Sequence, residues 1–247
     1  VDKTTTDKSD LSPQPQVPQY CAILRSRFSY RSNSFTCIPP VTILCYQSQL
    51  TCPARTKEFL NMSKSICVFC GARMGNNPAF ELAARDLGNV LAKNTWRLVY
   101  GAGDIGLMGA VANGAQAAGA ATFGVMPEHL MQTEIGKRDV DRFIITDDMH
   151  SRKKLMFINS DAVVLLPGGA GSLDEFFEVL TWAQLGLHSR PIIVANIEGY
   201  WQPMLDMVDH VIASGFADAS LRSLFCVTQT VDEIEAVLRS ALNTASQ

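Results

Sequence analysis

Asp161-Ala-Val-Val-Leu-Leu-Pro167-Gly-Gly-Ala-Gly-Ser-Leu-Asp-Glu175 decides how this chain folds. It opens on an apolar run with two β-branched valines, which reads as a strand buried on both faces. Pro167-Gly168-Gly169 ends that strand sharply, and an amphipathic segment opens at once behind it. Strand, glycine turn and helix in succession form the repeating unit of a parallel sheet.

The same alternation extends both ways. Strands are expected at 65–70, 96–100, 121–126, 142–146, 161–166, 190–195 and 224–228. Helices are expected at 78–94, 107–119, 148–159, 172–187, 200–213 and 231–243. The pattern predicts an α/β fold, one doubly wound parallel sheet in a single domain. Ligands of such sheets bind at the carboxyl ends of the strands, where strand order reverses. Chemistry is therefore sought in the strand-to-helix loops.

The 247 residues are 47% hydrophobic and 18% charged, with a formal net charge of −3. That apolar content is enough for a core and excludes wholesale disorder. No run of about 18 apolar residues offers a membrane span, and the mild acidity argues against a chain built to coat nucleic acid. Residues 1–61 differ from the rest, holding 6 of the 11 prolines and 4 of the 7 cysteines. From Tyr20 to Lys57 they are basic and free of acids. They are expected to be a disordered leader, either an organelle transit peptide or upstream-translated sequence. Met62 is read as the start of the folded unit, 62–247. The cytoplasm is the expected location, with an organelle as the alternative should the leader be a transit peptide.

Two loops are rich in glycine. Gly101-Ala-Gly103-Asp-Ile-Gly106-Leu-Met-Gly109 follows the second strand and satisfies G-x-G-x-x-G in strand–turn–helix context. Gly101, Gly103 and Gly106 are candidates for cradling a phosphate. A turn that only packs helix on sheet is the alternative, and an NAD site would want an acid where Val125-Met126-Pro127 stands. In the second loop, Gly168 to Ser172 open a helix whose free amides form an anion site. Ser172 and Glu175 also stand at capping-box spacing, S-x-x-E, which would explain both without a ligand. A third element, Asp148-Met-His-Ser-Arg152-Lys153-Lys154, puts cations in a first helical turn, against the macrodipole. A bound phosphate would account for them. Cys67-x-x-Cys70 lies within a strand and lacks a second pair, so buried hydrophobes are the better reading than zinc or redox chemistry. No metal or other cofactor is expected.

Taken together these motifs resemble the Lonely Guy (LOG) family of cytokinin riboside 5′-monophosphate phosphoribohydrolases, formerly labelled lysine decarboxylases. Pro167–Glu175 resembles its PGGxGTxxE signature, Met149–Lys153 with Met156 its MHxRKxxM segment, and Gly101–Gly109 its GGGxxGLMG loop. Cys67–Gly71 is similar to its opening strand and Thr181–Gly186 to its next segment. The resemblance implies a Rossmann-like homodimer that hydrolyses the N-glycosidic bond of a nucleoside 5′-monophosphate. By motif position it implies Arg152 and Glu175 as catalytic residues. Nucleotide contacts would fall on Glu134, Arg152, Lys153, Gly168, Gly169, Gly171, Ser172 and Thr181. Ala102 replaces the family's middle glycine, and Ser172 its threonine. General nucleotide salvage, a non-catalytic nucleotide-binding module and an NAD-dependent oxidoreductase remain the alternatives.

Overall fold

In the computed structural model, residues 64–131, 136 and 139–244 are described. The expected leader, 1–61, lies outside them. The strands are β1 (Ser65–Phe69), β2 (Arg97–Tyr100), β3 (Thr122–Pro127), β4 (Arg142–Thr146), β5 (Ala162–Leu165), β6 (Ile192–Ala195) and β7 (Cys226–Thr228). All are parallel, in the order β4-β3-β2-β1-β5-β6-β7. Order reverses between β1 and β5, so the carboxyl ends of these two strands mark the crevice. The helices are α1 (Pro78–Lys93), α2 (Gly106–Ala117), α3 (Met149–Ile158), α4 (Ala170–Gln184), α5 (Gln202–Ala213) and α6 (Val231–Thr244). Every strand and helix expected from the sequence is present.

Successive strand residues point to opposite faces, and two cores result. Ile66, Val68, Leu98, Tyr100 and Val164 face one core with α1, α2 and α6. Cys67, Phe69, Val99, Val125, Val163 and Leu165 face the other with α4 and α5. Helix α1 shows how the sequence drives this. Asn77 caps it by accepting from the Ala79 amide at 2.9 Å, Pro78 occupies its first turn, and Phe80, Ala84, Leu87 and Leu91 recur at helical spacing on its buried stripe. Truncating fully buried Leu87 to Ala would cost about 2–5 kcal/mol. Among the described residues no helix is long and apolar enough to cross a membrane.

Candidate active site

The crevice at the β1–β5 reversal holds a cavity of about 860 Å³. The end of β1 and the turn after it, from Val68 to Gly71, line it, joined to the turn after β5 by a hydrogen bond from the Gly71 amide to the Pro167 carbonyl, 3.0 Å. Arg152 from α3 and Glu175 from α4 line the same cavity, with Gly101, Gly168, Gly169, Gly171 and Ser172. Two residues that the family resemblance picks from separate segments, 23 positions apart, thus line one cavity.

Arg152 is buried, and its position is fixed by backbone. Nε donates to the Val125 carbonyl at 3.1 Å and Nη2 to the Gly101 carbonyl at 2.6 Å. These carbonyls lie in β3 and just beyond β2, so the sheet itself seats the guanidinium. A Cβ on Gly101 would stand 2.1 Å from Nη2. Gly101 therefore serves as the arginine's seat, a role its place in G-x-G-x-x-G does not disclose.

The rest of that first loop also serves packing. The amides of Leu107 and Met108, in the first turn of α2, both donate to the Gly71 carbonyl, at 3.0 and 3.3 Å. A phosphate would have to compete with that carbonyl. Gly106 adopts φ +63°, with Ala72 and Arg73 backbone against it, and neither Gly103 nor Gly106 lines the cavity. Ala102 takes φ +59° fully buried, with its methyl where a side chain on Gly124 would go.

The second loop is different. Helix α4 starts at Ala170, two residues before its expected start, with Gly169 as N-cap and no side-chain cap. Ser172 and Glu175 therefore both lie inside the helix and form no capping box. Leu173 makes the first backbone bond of the helix, to the Gly169 carbonyl at 3.1 Å. The amides ahead of it, at Gly171 and Ser172, face out of the helix end beside the cavity. The Tyr200 hydroxyl donates to the Gly168 carbonyl at 2.5 Å and holds the turn from the other side.

Glu175 is half-buried and has no hydrogen bond or ion pair to a described residue. Burial pushes its carboxyl up to about 7; Arg152 opposes that rise and Asp174 adds to it. The acid is thus part protonated and part ionised near neutrality, the state suited to proton transfer.

Other expected site residues stand elsewhere. Lys153 is buried outside the cavity lining, its Nζ 2.8 Å from Asp174 Oδ2 and 3.3 Å from Glu178 Oε2. Thr181 turns its hydroxyl back to the Phe177 carbonyl, 2.6 Å, and borders a separate groove with Met207 and Phe216. Glu134 lies outside the described residues. Sequence reasoning missed Arg73, Met74, Phe80, Met108, Leu130 and Tyr200, which also line the cavity. Met108 stands in the first glycine loop but was not singled out there; no local motif marks the others, and only the assembled crevice does. Cys67 in β1 and Cys70 just after it are buried in opposite cores, where burial pushes both thiols up. Among the described residues no group of three or more His, Cys, Asp or Glu is placed to hold a metal ion.

A family model described as "possible lysine decarboxylase" matches residues 108–238. A probable cytokinin riboside 5′-monophosphate phosphoribohydrolase of Oryza sativa subsp. japonica is 39% identical over 178 residues, 72% of this chain and 77% of that protein. A cytokinin riboside 5′-monophosphate phosphoribohydrolase of Arabidopsis thaliana is 40% identical over 171 residues, 69% of this chain and 80% of its own length. The chain belongs to the LOG family. In this LOG chain no lysine among the described residues lines the cavity, whereas a pyridoxal-dependent decarboxylase needs one for its Schiff base. LOG-type architecture also extends to solved structures of other activity. A molybdenum cofactor binding protein from Rippkaea orientalis superposes with TM-score 0.57 at 20% identity, over 73% of this chain and 98% of that one. A molybdenum cofactor carrier protein from Chlamydomonas reinhardtii does so with 0.57 at 22%, over 73% and 99%. At those identities the likeness is one of fold.

Proposed function

We propose that this LOG-family chain hydrolyses the N-glycosidic bond of nucleoside 5′-monophosphates, cytokinin ribotides among them, to free base and ribose 5-phosphate. The observation that carries this reading is the meeting of Arg152 and Glu175 in one cavity beside the open amide end of α4. The 5′-phosphate sits on the Gly171 and Ser172 amides, where the helix dipole and unpaired N–H groups favour an anion. Cleavage of the C1′–N bond builds positive charge on the sugar. The Glu175 carboxylate, without a partner among the described residues, stabilises that charge, takes a proton from the attacking water and returns it to the departing base, which leaves neutral. Arg152, held rigidly by two carbonyls, supplies fixed positive charge where the departing base gathers electrons. Water, Arg152 and Glu175 suffice for the reaction in this form, with no metal or other cofactor.

The cavity also has a large apolar surface. Met74, Phe80, Met108, Leu130, Met149 and Met156 line it. Flexible methionine side chains accept irregular apolar groups, which supports an adenine carrying an N6-prenyl substituent over an unsubstituted one. Two copies of the chain are proposed to associate through the outer face of α4 and α5, where Met207 and Phe216 remain exposed around an apolar groove. Light scattering on the purified protein tests that assembly.

The activity is tested by incubating the protein with AMP and with N6-prenylated AMP and measuring free base by chromatography. Base release from both, with higher kcat/KM for the prenylated nucleotide and loss of turnover in Glu175→Gln, is expected. Saturable nucleotide binding without base release would overturn the hydrolase in favour of a binding module.

A further inference from the structure

Each of the two proposed catalytic residues has a neighbour in sequence that belongs to one ion cluster built on a buried lysine. Lys153 follows Arg152 at the start of α3, and Asp174 precedes Glu175 at the start of α4. The Lys153 ammonium, 7% exposed, lies 2.8 Å from Asp174 and 3.3 Å from Glu178 one helical turn further on. Among the described residues these are the ion pairs that join α3 to α4. The ammonium has three N–H donors; two of them are engaged by carboxylates, and the group does not line the cavity. The family resemblance would put Lys153 on the nucleotide. The geometry points elsewhere.

We infer that Lys153 is a positioning residue, a clamp between the first turns of α3 and α4 that sets the spacing of the Arg152 guanidinium and the Glu175 carboxylate. The inference rests on the hydrolysis proposed above. Two physical consequences follow from the clamp. Helix α4 carries Glu175 behind a glycine-rich turn that the Tyr200 hydroxyl holds at Gly168, with Ser172 and Phe176 buried beside it. Lys153 adds a fixed point tied to α3, where Arg152 is locked to the sheet. The clamp also shapes the charge around Glu175. Arg152 and Lys153 face it from α3, Asp174 and Glu178 from its own helix, and the Cys67 and Cys70 thiols from β1 beneath. Asp174 and Glu178 each favour the protonated form of Glu175, against Arg152 and Lys153.

Lys153→Met removes the ammonium but keeps a side chain that packs along the same path. Asp174 and Glu178 then remain hydrated, since their side chains are 59% and 24% exposed. Steady-state kinetics on a nucleoside 5′-monophosphate should show kcat lowered on the order of 10²-fold, as loss of alignment at a reacting centre does. KM, and the calorimetric Kd for ribose 5-phosphate, should stay within about threefold. Lys153→Arg should recover part of kcat. Glu178→Gln should move the acid limb of the kcat profile to lower pH with KM unchanged, because one of the charges that favour protonated Glu175 is gone. A rise in KM and a tenfold or greater loss of ribose 5-phosphate affinity in Lys153→Met, with kcat preserved, would overturn the clamp and place the lysine on substrate. Unchanged kinetics in both variants would also overturn it. If Lys153→Met does not fold, Glu178→Gln decides the matter by its pH profile. If the wild type turns over no nucleotide, the hydrolase reading fails by itself. Carbon-13 NMR titration of Glu175 in wild type and Glu178→Gln then still tests the clamp: a lower midpoint in the variant supports it, and an identical midpoint sinks it.

Discussion

The turn after β2 and the turn after β5 are alike on paper and opposite in the molecule. Both follow a buried strand, both are glycine-rich and both open a helix. In the first, the amides of Leu107 and Met108 are taken up by the Gly71 carbonyl, and Gly101 gives its space to an arginine. In the second, the helix start has no side-chain cap and opens onto the cavity. A glycine turn is therefore a packing device or an anion site according to whether an internal carbonyl reaches the first helical turn. Here the carbonyl comes from the turn after β1, and spacing within the glycine turn carries no trace of it.

The comparison breaks most readily at Gly101. A methyl there would stand 2.1 Å from Arg152 Nη2, so Gly101→Ala should expel the guanidinium and match Arg152→Met. Both should lose about 10²–10⁴-fold in kcat, measured by base release. Arg152→Met should also lower stability by about 1–3 kcal/mol in urea titration, because it strands the Gly101 and Val125 carbonyls. A Gly101→Ala that raised KM alone would return this glycine to the phosphate-cradle role.

The next test sets one turn directly against the other. A side chain on Gly171 meets open space, so Gly171→Asp should fold normally and repel a phosphate. Its KM should rise about tenfold, by roughly the 1–2 kcal/mol of a like charge near a protein surface. Gly103→Ala, which presses only on the flexible end of Met108, should leave KM within twofold.

Glu175 yields a smaller effect with a distinct sign. Burial raises its folded pKa to about 7 from an ordinary 4.5. Between those values the unfolded chain binds fewer protons than the folded one, so this group costs stability as pH rises. Glu175→Gln should therefore melt above the wild type at pH 8, with the gap closing below about pH 5, even as it abolishes turnover. The smallest effect is expected at Ala102. Its φ of +59° costs roughly 1 kcal/mol, and Ala102→Gly should exchange that strain for a lost buried methyl, leaving activity unchanged and Tm within a few degrees.

The sheet was readable in the sequence because strands buried on both faces are near-continuous apolar runs, as Ala162–Leu165 and Ile192–Ala195 show. Arg152 and Glu175 were readable as well, through motif position. What escaped depended on distant partners. Helix α4 begins two residues early because Gly169 caps it through backbone alone, and that removed the capping box. Lys153 looked like a phosphate ligand because its carboxylates lie 21 and 25 positions away across two loops. Tyr200 and Arg73 reach the cavity only through the fold, and no residue beside them hints at it.

A crystal structure with ribose 5-phosphate bound tests the account most directly. It should show phosphate oxygens within hydrogen-bond distance of the Gly171 and Ser172 amides, with C1 turned toward the Glu175 carboxylate. A phosphate held instead on the Gly103–Gly106 turn, or a Glu175 carboxylate directed away from C1, would contradict it.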